Sequence, residues 1–197
     1  CGMGGSSLAP EVLRRTFGAA AGYPSLTVLD STDPRAVAAA VRDDNLAHTL
    51  FLISSKSGTT LEPDCLFRHF WSLTGGRGSQ FAAITDPETP LAALAAERGF
   101  RRCFLNPSDI GGRYSVLSYF GMVPAALLGI DVARLLERAR HMARACGAAV
   151  PARHNPAARL GALLGGAALE GRDKVTFVLS PGVASLAPIA AGRPKPI

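Results

Sequence analysis

The sequence predicts an α/β fold: a three-layer αβα sandwich around a mostly parallel sheet of five strands. Three observations predict it. Short apolar runs alternate with helix-length segments. The runs are near-continuously apolar, as strands buried on both faces are. The segments between them are long enough to be crossover helices, which parallel strands require.

The elements follow in order. Leu26–Leu29 is a short β-rich run. Asp33 before Pro34 caps and opens a helix that the pattern carries to Arg42. His48 to Ile53 reads as a buried strand, and Leu61 to Leu73 as a helix. Phe81 to Thr85 is strand-like. Thr89-Pro90 opens a helix through Arg98, and Gly99 stops it. Arg102 to Leu105 is another short strand. Two long helical patterns come next, Tyr114 to Leu128 and Val132 to Ala145, parted by Gly129-Ile130-Asp131. Asn155-Pro156 starts a further helix ending near Gly171. Lys174 to Leu179 is the fifth strand-like run. No internal repeat is present. Residues 1–187 read as one domain whose first strand is cut short, and 188–197, rich in Pro and Gly, as an irregular tail.

Composition narrows the function. The chain has 197 residues, of which 48% are hydrophobic, enough for a sizeable core. Its formal charge is +6, from 21 basic and 15 acidic residues, and nearly all the basic residues are arginine. That balance suits an anionic ligand. No basic stripe is interleaved with aromatics, which argues against nucleic acid. Cys1, Cys65, Cys103 and Cys146 form no CxxC pair. A zinc knuckle is therefore unsupported, and reduced thiols in a cytoplasmic protein are the expectation. No apolar run approaches the ~18 residues of a membrane helix, and no signal peptide is visible. The opening CGMGGSS reads as the middle of a longer sequence.

Ligands in an open parallel sheet gather beyond the carboxyl ends of its strands. Three loops are expected there. Gly2-Met3-Gly4-Gly5-Ser6-Ser7 precedes a helix that includes Glu11 to Phe17. It brings backbone close to a ligand, or it is only a turn and a cap. It fails as a dinucleotide fingerprint, because Ser7 stands where GxGxxG needs glycine. The second loop, Ser54 to Thr60, carries Ser55, Ser57, Thr59 and Thr60 ahead of a helix. Hydroxyls beside free helix N–H groups make a phosphate cradle. One cap needs only one such residue, and Lys56 is either a ligand group or a solvated lysine. The loop is not a nucleotide-triphosphate motif, since Leu50 and Ser55 occupy positions where GxxxxGK[ST] has glycine. The third loop, Asp109-Ile110-Gly111-Gly112-Arg113-Tyr114-Ser115, leads an arginine into a helix start. That arginine is either an ordinary surface residue at a helix start or a group set over a cleft, a cation being electrostatically misplaced at that end unless it meets an anion.

In that order, GMGGSSLAP, SKSGTTLEP and DIGGRYSVLS resemble the sugar-binding, phosphate-binding and glycine–arginine motifs of the glucose-6-phosphate isomerases. The likeness is to the bacterial type, including the isomerase half of bifunctional transaldolase–isomerase proteins, and it runs from about Gly2 to Leu186. SKSGTT alone marks the wider class of sugar isomerase (SIS) domains. DIGGRYSVLS points to the narrower family. The resemblance implies a flavodoxin-like or Rossmann-like SIS domain. It implies that Ser55, Ser57 and Thr60, with backbone near Lys56 and Thr59, hold a phosphate. Gly5 and Ser6 touch the sugar, Gly112 lies beside the reacting carbons, Arg113 stabilises an enediolate, and Glu62 supports the site. The substrate would be glucose 6-phosphate or fructose 6-phosphate, with no metal and no cofactor. A homodimer is implied in the same way.

The family's catalytic glutamate sits in an E-x-x-G-K-like segment that this sequence does not contain. Glu11, Glu88, Glu97, Glu137 and Glu170 stand in other contexts, and His48, His69, His141 and His154 match no family position. The competing expectation is a non-catalytic SIS module that binds a sugar phosphate. A hydrolase finds no support, for there is no GxSxG elbow.

Overall fold

A computed structural model describes residues 1–40 and 43–187, with residues 43–45 described by their backbone alone. The tail at 188–197 and the end of the helix expected to reach Arg42 lie outside the described residues. The described residues divide into two compact units, one built from residues 1–130 with 182–187, the other from residues 131–181.

The first unit is built on three parallel strands, β1 (Phe51–Ser54), β2 (Phe81–Thr85) and β3 (Arg102–Leu105), in that spatial order. Ser54 pairs with Ile84, and Ile84 with Phe104. Side chains alternate across the sheet. Phe51, Ile53, Phe81 and Ala83 point to one face, where they meet Leu66, Phe67 and Phe70 of α3 (Leu61–Leu73) and Leu91 and Ala95 of α4 (Pro90–Glu97). Ala36 and Val37 of α2 (Pro34–Ala40) pack against the same cluster. Ile84, with Leu52 and Phe104, points to the other face and meets Phe120, Val123 and Leu127 of α5 (Tyr119–Leu127). α1 (Gly5–Phe17) packs on α5. The α/β class and the parallel sheet are therefore as expected, with helices on both faces.

The sheet has three strands among the described residues, not five. Leu26–Leu29 forms no strand. Leu29 is buried and its carbonyl accepts the Gly2 N–H at 3.2 Å, but α1 already begins at Gly5, so no second rung follows. Lys174–Leu179 is also without ladder partners among the described residues. Gly2 does bridge Ser54 in parallel, which lays the N-terminal residues beside β1. The expected helix Tyr114–Leu128 divides into a 3-10 turn, Gly112–Leu117, and α5. Ser118 is extended between them. Its hydroxyl donates to the Ser115 carbonyl at 2.7 Å, and buried Asn106 accepts the Tyr119 N–H at 3.2 Å. His48 lies in a 3-10 turn, so β1 begins later than the apolar pattern suggests.

The second unit holds α6 (Val132–Ala145) and α7 (Pro156–Leu169), each with its side-chain cap, Asp131 and Asn155. Among the described residues no helix is long and apolar enough to cross a membrane.

Candidate functional site

Because β1, β2 and β3 run parallel, their carboxyl ends share one edge of the sheet. Ladder bonds continue past that edge. The Ser55 N–H donates to the Ile84 carbonyl at 3.0 Å, the Asp86 N–H to Lys56 at 3.1 Å, and the Asn106 N–H to Thr85 at 2.7 Å. The Gly2–Ser54 bridge brings the start of α1 to the same edge.

A cleft of about 340 Å³ opens there. Gly5 and Ser6 from the first loop, Ser55, Lys56, Ser57 and Thr60 from the second, and Gly112 from the third all line it. Thr59 is exposed and does not line it, but its hydroxyl shares a 2.9 Å hydrogen bond with that of Ser57. Glu62, in the first turn of α3, is outside the lining. Arg113 is exposed, one residue beyond Gly112.

The second loop is shaped for donors. Buried Ser55 shares a 3.0 Å hydroxyl bond with Thr60. Thr60 is the N-cap of α3, yet its side chain makes no cap bond, so the hydroxyl does not satisfy the helix N–H groups. Gly58 turns the loop at φ 67°, and a Cβ there would fall 2.9 Å from the Leu91 nitrogen. Loops one and three touch directly. A Cβ on Gly5 would lie 2.2 Å from the Gly112 carbonyl oxygen, an approach only glycine permits. Ser115 fixes that carbonyl by donating to it at 2.7 Å.

Lys56 is neither freely solvated nor idle. Its ammonium pairs with Asp86 and donates to the Ser108 carbonyl at 2.9 Å. Glu11, by contrast, is buried in α1 and gripped by Arg14 at 2.6 Å and Arg15 at 2.5 Å.

The family model for phosphoglucose isomerase matches residues 1–167. The chain belongs to the phosphoglucose isomerase family. It is 38% identical over 168 residues to the glucose-6-phosphate isomerase of Trichormus variabilis, covering 81% of this chain and 31% of that one. To the Campylobacter jejuni enzyme of the same name it is 35% identical over 144 residues, with coverages of 71% and 35%. Among solved structures, a hypothetical protein from Thermus thermophilus aligns with a TM-score of 0.70 at 30% identity, over 83% of this chain and 40% of that one. A glucose-6-phosphate isomerase from Chlamydia trachomatis aligns with a TM-score of 0.58 at 27% identity, over 68% and 26%. The chain thus spans about a third of the length of the curated relatives it matches.

Sequence reasoning missed Met3, Ser54, Asp86, Ser115 and Phe120, which also line the cleft. Asp86 carried a usable signal, because it is the first residue after a predicted parallel strand. Ser115 lay inside a motif already singled out. Met3 also lay inside a motif singled out, the first loop, whereas Phe120 carried no signal, since an apolar residue of this kind reads as core.

Proposed function

We propose that the cleft binds a sugar phosphate and that the protein serves the reversible aldose–ketose isomerisation of glucose 6-phosphate and fructose 6-phosphate. One observation carries this reading: three loops far apart in sequence converge on one cleft at the strand ends. The hydroxyls of Ser55, Ser57, Thr59 and Thr60, with the backbone around Lys56, hold the dianionic monoester. Gly5, Ser6 and Gly112 face the sugar. Arg113 supplies a guanidinium to the oxygen that gains charge when the C2 proton leaves and the enediolate forms. The proton then returns to C1, and the base that carries it must stand within hydrogen-bond reach of both carbons. Asp86 is the one carboxylate lining the cleft among the described residues, and it is engaged with Lys56. This polypeptide therefore binds substrate and turns it over poorly or not at all.

The test is calorimetry with fructose 6-phosphate or 6-phosphogluconate. Ser57→Ala combined with Thr60→Ala weakens binding by about tenfold or more, since two hydrogen bonds to a charged group are lost. Arg113→Ala changes it by less than about threefold, because its contact develops in the transition state. The reverse ranking means the loop roles are misassigned. In a coupled dehydrogenase assay the purified chain shows little turnover. Robust turnover that survives replacement of each glutamate overturns the missing-base account.

A further inference from the structure

We infer that Asp86 is a positioning residue of the cleft: it fixes the Lys56 ammonium across the three strand ends, so that loop and cation are set before an anion arrives. The inference deepens the sugar-phosphate reading and rests on it for the identity of the anion.

Asp86 follows β2 directly and is buried, its side chain 13% exposed. It lines the cleft. A carboxylate beside an anion site is repulsive by itself, so it belongs there only through a cation. Lys56 is that cation. An ammonium has three donors. One goes to Asp86 Oδ2 and a second to the Ser108 carbonyl in the loop after β3. The third remains for a ligand in the cleft. The other end of Lys56 is held as well, for its carbonyl accepts the Asp86 N–H at 3.1 Å and the Thr85 hydroxyl at 3.3 Å. The loops after β1, β2 and β3 are thereby tied through one side chain.

Asp86 Oδ1 is buried and has no hydrogen-bond partner among the described residues. An unpartnered buried carboxylate oxygen is unfavourable. Packing alone therefore does not call for aspartate at this position, whereas an ion-pair brace does.

The experiment uses the whole chain with Asp86→Asn, Lys56→Met and the double variant. Calorimetry measures inorganic phosphate and fructose 6-phosphate, and hydrogen exchange follows the amides of residues 55–60 without ligand. If Asp86 acts through Lys56, Asp86→Asn weakens binding by roughly tenfold despite removing a negative charge, and the double variant is no weaker than Lys56→Met alone. Amides 55–60 lose protection in both single variants while β2 keeps its own. Tighter binding by Asp86→Asn overturns the inference, since Asp86 then merely repels the anion. Additive losses, or unchanged protection, also overturn it. If the unaltered chain binds neither ligand but its loop amides still lose protection in Asp86→Asn, the positioning role stands and the sugar-phosphate reading falls.

Discussion

Two short apolar runs, Phe81–Thr85 and Lys174–Leu179, look alike in the sequence and differ completely in the structure. The first is β2, with a parallel neighbour on each side and Phe81, Ala83 and Ile84 fully buried. The second makes no ladder among the described residues, and its Val178 is 93% exposed. The helices of residues 131–181 nevertheless formed where expected, although α6 and α7 bury none of their own residues. The difference is one of hydrogen-bond accounting. A helix closes its backbone bonds within itself, whereas a strand needs another strand. Local patterns therefore foretell helices in either region and strands only where a neighbour exists.

Phe81 offers the largest test of this contrast. Its ring lies 5.2 Å from Phe51, 5.4 Å from both Trp71 and Phe100, and 5.7 Å from Phe67. Phe81→Ala should cost about 3–5 kcal/mol, as lost burial and a cavity add. Val178→Ala should stay within about 0.5 kcal/mol. Urea unfolding followed by the fluorescence of Trp71, the only tryptophan, reads the first directly. Equal losses from both changes would mean the exposed run is held by contacts as strong as those of β2.

Glycines sharpen the same lesson inside the site. Gly5 and Gly111 both sit in motifs singled out from the sequence, and nothing in composition distinguishes them. The structure does. A Cβ on Gly5 overlaps the Gly112 carbonyl, while one on Gly111 meets only Tyr114 Cδ2 at 3.5 Å, an ordinary contact. Gly5→Ala should destabilise by about 1–3 kcal/mol, because backbone must move where two loops meet, and it should weaken the proposed sugar-phosphate binding with it. Gly111→Ala should change neither by a measurable amount in paired melting and calorimetry experiments.

The part of the site that was legible follows from this. The loops announced themselves by residue type, because the phosphate binding proposed for them draws on hydroxyls, glycine and cations in short order. Their convergence could be inferred from the shared edge of a parallel sheet. Asp86 was harder to see, since its significance lies in a pairing with Lys56 thirty positions earlier in the chain. The split at Ser118 was hidden for the same reason: Asn106 accepts the Tyr119 N–H from thirteen residues away. Strand count failed where pairing, a tertiary event, decided it. Helix bounds succeeded at α6 and α7, which open on the local caps Asp131 and Asn155.

Those caps provide the smallest predicted effects. The Asn155 side chain accepts the Ala158 N–H at 3.0 Å and donates to the Gly147 carbonyl at 3.2 Å, and it is buried. Asp131 accepts the Arg134 N–H at 2.9 Å on an exposed surface. Asn155→Ala should cost about 1–2 kcal/mol, the upper part of the range for a lost N-cap, because the Gly147 carbonyl also loses its donor. Asp131→Ala should cost about 0.5–1 kcal/mol, and water can replace its bond. Hydrogen exchange of the first-turn amides of α6 and α7 resolves the two. If neither helix frays, capping is not what fixed their starts, and the reason these helices could be read from sequence lies in their propensities instead.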